Sequence, residues 1–166
     1  IQKSINGIAV DGYGNVYFHD EKDSGIYVNY KSGEQVANFI KLVNTTASAN
    51  GFQSVYVYLL TGVVDLSTCA RTQGTTDKVL ATQATFGSGT GPGQISLDGA
   101  GNIYVTDNKN DDVRVINTQA TAQTFFQTTV QPGFMSHIIP CQNAIGVACN
   151  SADNVQNGAP NNCPPA

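Results

Sequence analysis

The chain carries little charge. Only 12% of its 166 residues are Asp, Glu, Lys or Arg, and the net charge is −4. The eight Lys and Arg residues are scattered, so no basic field exists to hold nucleic acid or an anionic membrane surface. No apolar run approaches the ~18 residues of a spanning helix, and no membrane span is predicted. Solubility falls to Asn, Gln, Thr, Ser and Gly, as in β-rich extracellular proteins. Ile1 has no Met before it and no signal-like segment after it, which reads as a processed, trimmed or excised piece.

Signatures of chemistry are also sparse. No GxSxG, HExxH or P-loop pattern occurs. Histidine appears twice, at His19 and His137, and both read as surface or rim residues. The four cysteines form no CxxC pair and no haem-attachment motif. Cys141, Cys149 and Cys163 sit in a Pro/Asn/Gly-rich tail over 141–166 that has little to build a core from. Structural disulfides in an oxidising compartment are expected. Cys149–Cys163 closes one loop, and Cys69–Cys141 is the remaining pair among three connectivities. A zinc site is the other reading, but neither histidine stands at ligand spacing to the cysteines.

What the sequence does have is a repeat. GIAVDGYGNVYFHD, Gly7–Asp20, returns as QISLDGAGNIYVTD, Gln94–Asp107. Asp11, Gly14, Asn15 and Asp20 come back as Asp98, Gly101, Asn102 and Asp107, each 87 residues on. Asp, Gly and Asn at this density mark a tight turn, where positive φ is needed and Asp accepts from nearby amides. The β-branched and aromatic runs on either side read as strands, so each copy opens with a hairpin. Gly25–Tyr30 and Ser54–Leu60 supply a third and fourth strand in copy one. Val113–Asn117 and Phe134–Ile139 do so in copy two.

Between the third and fourth strands the copies differ. Val36, Phe39, Ile40 and Val43 fall at i, i+3, i+4 and i+7, which predicts an amphipathic helix over Glu34–Val43, lying as a lid on the sheet edge. Ala122–Val130 has strand-like composition and no helical stripe. The fold class is therefore all-β, with antiparallel four-stranded repeats at 1–86 and 87–166 and one inserted helix. One such sheet cannot bury both faces, so the units must stack.

The pattern [IV]-x-[LV]-D-x-x-G-N-[IV]-Y-[FV]-x-D, followed by a polar turn and a [VI]-x-V strand, resembles the NHL repeat of β-propellers. The lead-in LATQATFGSGTGPG is similar to that of long bacterial extracellular NHL proteins. The resemblance implies four-stranded blades, innermost strand first, in a secreted or cell-surface protein. Propellers close with about 4–8 blades, so two would associate with other copies of the chain or with further blades. A non-catalytic scaffold for protein interaction or self-assembly, as ring or filament, is the function implied. A propeller hydrolase or lyase with an axial metal is one alternative. A carbohydrate-binding module is the other, with surface proteins or glycans as partners.

The candidate residues each admit a structural role. Asp11 and Asp98 in glycine turns, and Asp20 and Asp107 after a strand, recur once per repeat, whereas a catalytic group is needed once per site. Asp107, Asp111 and Asp112 lie in an oxygen-rich run that loosely resembles a calcium loop. That run lacks the glycine and distal Glu of an EF-hand and carries Lys109 at its centre. No cofactor is implied, calcium being the ion such a run would take. Arg114, where copy one has Tyr27, predicts a salt bridge between repeats. Tyr17, Tyr27, Tyr30, Tyr56, Tyr58 and Tyr104 lie on expected strands as a platform for glycans or as packing between repeats. Asn44-Thr45-Thr46 fits the N-glycosylation pattern.

Overall fold

Short runs of Val, Ile and Tyr punctuated by Asp-x-x-Gly-Asn turns give a chain of hairpins. The computed structural model describes residues 5–20, 24–44, 53–62, 64–65, 70–71, 76–87, 92–108 and 112–138. The first sheet has the order β1 (Ile5–Val10), β2 (Val16–Asp20), β3 (Gly25–Asn29) and β4 (Val57–Thr61), all antiparallel. The helix α1 occupies Glu34–Val43 between β3 and β4. A two-residue pair, β5 (Val64–Asp65) with β6 (Ala70–Arg71), follows. All four cysteines, Asp111 and the 141–166 tail lie outside the described residues.

The second sheet is assembled from β7 (Val79–Leu80), β8 (Ile95–Leu97), β9 (Ile103–Asp107), β10 (Asp112–Ile116) and β13 (Phe134–His137). Its order is β7-β13-β10-β9-β8. Four of these strands repeat the meander of the first sheet. The fifth, β7, comes from the segment joining the repeats and pairs with the outer strand, Leu80 opposite Phe134 and Val79 opposite Met135. An outer edge offers a row of unpaired N–H and C=O groups, and β7 fills it. The Ala122–Val130 stretch is not one strand. Phe126 takes a φ of 53° and folds it into a hairpin of β11 (Gln123–Phe125) and β12 (Thr128–Val130).

Each sheet has two faces, and the register identifies them. Face A carries Tyr17 and Val28 in the first sheet, opposite one another, and their equivalents Tyr104 and Val115 in the second. Face B carries Val16 and Phe18, with equivalents Ile103 and Val105. The main core joins Tyr17, Val28 and Tyr58 from face A of the first sheet to Ile95, Ile103 and Val105 from face B of the second. Unlike faces therefore meet, and β1 lies against β8.

The two insertions both lie over face A, at the outer strands. Helix α1 buries Val36, Phe39, Ile40 and Val43, the stripe its spacing predicts, together with Ala37, and packs against β4. Each such aliphatic or aromatic side chain contributes about 1.5–3 kcal/mol of burial. The helix ends at Asn44, whose Nδ2 donates to Leu59 O of β4 at 3.1 Å. The helix is thus tied to the β4 edge while its apolar side fills the wedge between the sheets. In the second repeat the β11–β12 hairpin packs on β13, and Phe125 and Val130 close a smaller cluster with Val115 and Ile138.

The repeats approach closely at Gly7. It sits at a bulge in β1 with φ 75°, and a Cβ there would lie 2.5 Å from Gly93 O. Only glycine meets both demands, the left-handed backbone and the close approach.

Candidate functional site

The repeated motif is built locally. Asp11 Oδ1 accepts from the amides of Tyr13 and Asn15, both at 2.9 Å. Its Oδ2 accepts from Asn15 Nδ2 at 2.7 Å and from the Tyr17 hydroxyl at 3.1 Å. Asp98 does the same, accepting from the amides of Ala100 and Asn102, from Asn102 Nδ2 and from the Tyr104 hydroxyl. Gly14 and Gly101 supply the positive φ in each turn. Asn15 Oδ1 then accepts from the Lys31 and Ser32 amides, and Asn102 Oδ1 from the Thr118 amide, so each turn is stitched to the end of the third strand. The oxygens of Asp11 and Asp98 are engaged in holding a corner. Burial first, and then the Asp11 charge, raise the Tyr17 pKa well above the usual tyrosine value; Tyr104 shifts the same way, from burial and Asp98.

Asp107 does different work from Asp98. It is fully buried, its Oδ2 3.4 Å from Nη1 of Arg114, which is also fully buried. Asp107 Oδ1 accepts from the Gly87 amide at 3.2 Å. Arg114 Nη1 donates to Thr85 O at 2.6 Å and Nη2 to Thr76 O, while the guanidinium lies 5.3 Å from the Phe86 ring centroid. Burial lowers the Arg114 pKa, and the Asp107 and Asp77 charges oppose that. The ion pair therefore lies within the second sheet, on neighbouring strands, rather than between repeats. Its reach is to the joining segment, which Arg114 and Asp107 grip at Thr76, Thr85 and Gly87. The sequence could not place Thr76 and Thr85 carbonyls beside Arg114, because both are distant in the chain.

The histidines are separated. His19 is fully buried on face A rather than at the surface, with Nδ1 3.1 Å from Asn6 O. It lies opposite Ile26, which is part of the main core. His137 is partly exposed on β13. Its Nδ1 contacts Asp112 Oδ2, and its backbone amide donates to Asp77 Oδ1 at 2.7 Å. Of the three carboxylates considered for calcium, Asp107 faces Arg114 and Asp112 faces His137. Among the described residues no three His, Cys, Asp or Glu side chains are grouped to hold a metal ion. Asp20 is buried on face B of the first sheet.

Tyr17, Tyr27 and Tyr58 are buried, Tyr30 and Tyr104 half-buried, and Tyr56 exposed. Tyr27 stacks on Phe18, with centroids 5.6 Å apart. A groove of about 630 Å³ opens where α1 meets the second repeat, floored by Phe39, Leu42 and Pro132 and edged by Glu34, Asn38 and Gln119. Gln35 Nε2 crosses beside it to Ala100 O at 2.9 Å, binding helix to second repeat.

The most exposed apolar surface on the strands is face B of the first sheet. Ile5, Ile8 and Val10 on β1 stand 60%, 63% and 60% exposed, and Val57 on β4, at the opposite edge of the sheet, 42%, while Phe18 and Tyr27 on the strands between are buried. Ile8 is equivalent to Ile95, which is 6% exposed because the first repeat covers it. The reciprocal holds on face A, where Tyr17 is buried under the second repeat and its equivalent Tyr104 is half-open. Two identical isoleucines in matching motifs carry no local signal for this difference. Only the neighbour decides it. No protein-family model and no curated protein matches the chain.

Proposed function

We propose that the chain is a non-catalytic, extracellular β-propeller-repeat scaffold, made of NHL-like blades and working through protein interaction or self-assembly. One observation carries this reading: equivalent repeats meet through unlike faces, A on B, with β1 against its equivalent β8. That is how successive blades follow one another around an axis, whereas a sandwich brings like faces together. The engagement of the motif carboxylates in turns and in the Arg114 clamp supports a structural role over a catalytic one. Low charge and four cysteines support an extracellular setting.

The test is a high-resolution image of the native protein that contains these residues. Sheets arranged radially about one axis, face A to face B throughout, are expected. Sheets that pair face A to face A, or turnover of a hydrolase or lyase substrate by the purified protein, would sink it. Carbohydrate binding is a second reading, favoured by the groove beside α1 with its amide edges over an apolar floor. A glycan array read with Gln119→Ala as control decides it, since specific binding must be lost in the variant.

A further inference from the structure

Among the described residues, the contact between the repeats leaves part of each of its two surfaces open again, one on the first sheet and one on the second. Face B of the first sheet exposes Ile8 and Val10, and the equivalents Ile95 and Leu97 are packed into the core. Face A of the second sheet exposes Ser96 and part of Tyr104, and the equivalents Ala9 and Tyr17 are packed into the same core from the other side. Each sheet thus presents part of one half of an interface whose other half is on the other sheet.

We propose that a second copy of this chain docks head to tail, laying face A of its second repeat on face B of the first repeat. This rests on the scaffold reading above and names its partner. The geometry is that of the existing interface continued by one step, with β8 of one copy against β1 of the next. The insertions permit it. The β11–β12 hairpin sits over β13 as α1 sits over β4, so face A of β8 and part of β9 stays accessible to a neighbour, and on face B of the first sheet the accessible strand is β1, Phe18 of β2 being buried. Charge permits it too: the exposed residues on face B of β1 and β4 are aliphatic, and face A offers Ser96, Thr106 and the Tyr104 ring, with no like charges to repel. Such a heterologous contact closes into a ring or runs on as a filament, according to the rotation per step.

Complementary blocking tests the proposal. Ile8→Asp puts a charge on face B, and Ser96→Arg puts bulk and charge on face A. Both residues are exposed, so the fold of each variant is expected to survive, checked by far-UV circular dichroism. Sedimentation of the unmodified chain is expected to show concentration-dependent oligomers, and each variant alone should associate about a hundredfold more weakly. Mixed at equal concentration, the two variants retain one open face each and should form a dimer and nothing larger. Three results overturn the proposal. A mixture that stays monomeric does so, as does a Ser96→Arg variant that still dimerises alone, which marks a face B to face B contact. An unmodified chain that is monomeric at all concentrations also does so, and assigns the open face to a different partner while leaving the radial, A-on-B scaffold reading intact.

Discussion

Replacing Arg114 with Met tests how the joining segment is held. Methionine keeps much of the apolar stem and can lie against Phe86, so the loss is chiefly the guanidinium. That group's contacts are the Asp107 carboxylate at 3.4 Å, Thr85 O at 2.6 Å, and Thr76 O. Removing one partner of a buried pair leaves an uncompensated charge, which costs about 3–5 kcal/mol. At about 2–4 °C per kcal/mol for a chain of this size, the melting temperature should fall by roughly 6–20 °C. The chain has no tryptophan, so urea unfolding is best followed by far-UV circular dichroism. The companion variant is decisive. Asp107→Asn in the Arg114→Met background removes the stranded charge and should recover part of the loss, a negative coupling in the double-mutant cycle. A single-variant cost under about 1 kcal/mol, or additive losses in the double variant, would refute the account of a buried ion pair gripping the segment.

Four further outcomes are expected. Gly7→Ala should cost at least about 2 kcal/mol, from a left-handed φ and a Cβ pressed on Gly93 O. Gly12→Ala meets nothing within 4 Å and should stay within about 0.5 kcal/mol in the same thermal melts. Asp98→Ala should cost about 2–3 kcal/mol and speed hydrogen exchange at the Ala100 and Asn102 amides, which unchanged exchange would contradict. For Tyr17, a folded pKa raised above the ordinary 10.0 means the folded state holds its proton where the unfolded state releases it. Stability from this group is full below pH 10.0 and declines as pH rises past it, so Tyr17→Phe should flatten the drop in urea midpoint between pH 8 and pH 11. An equal drop in both proteins would show that Tyr17 is not the group responsible.

How far the fold could be read depended on the range of each interaction. The turn at Asp11 is closed by bonds that span two, four and six residues, so its signature is contained in the motif. The helix over Glu34–Val43 is equally local, since its stripe repeats within two turns. The burial of His19, the partners of Arg114 and the pairing of β7 with β13 depend on residues far along the chain, and no short pattern encodes them. Val79 and Leu80 are two residues with no alternation to display. The candidate interface is the extreme case, because Ile8 and Ile95 look alike in sequence and differ only in what lies over them.

The fifth strand also separates two units that are easily confused. The stretch that is copied in the sequence begins near Gly7 and Gln94, yet the second sheet takes its outer edge from Val79–Leu80, ahead of its own copy. Inheritance and folding are therefore out of step. A cut between the copies would leave the second sheet one strand short. It would also strip Arg114 of the carbonyls it holds. Any duplication that lengthened such a chain would lock each new sheet to its predecessor, so added length would come with added cooperativity.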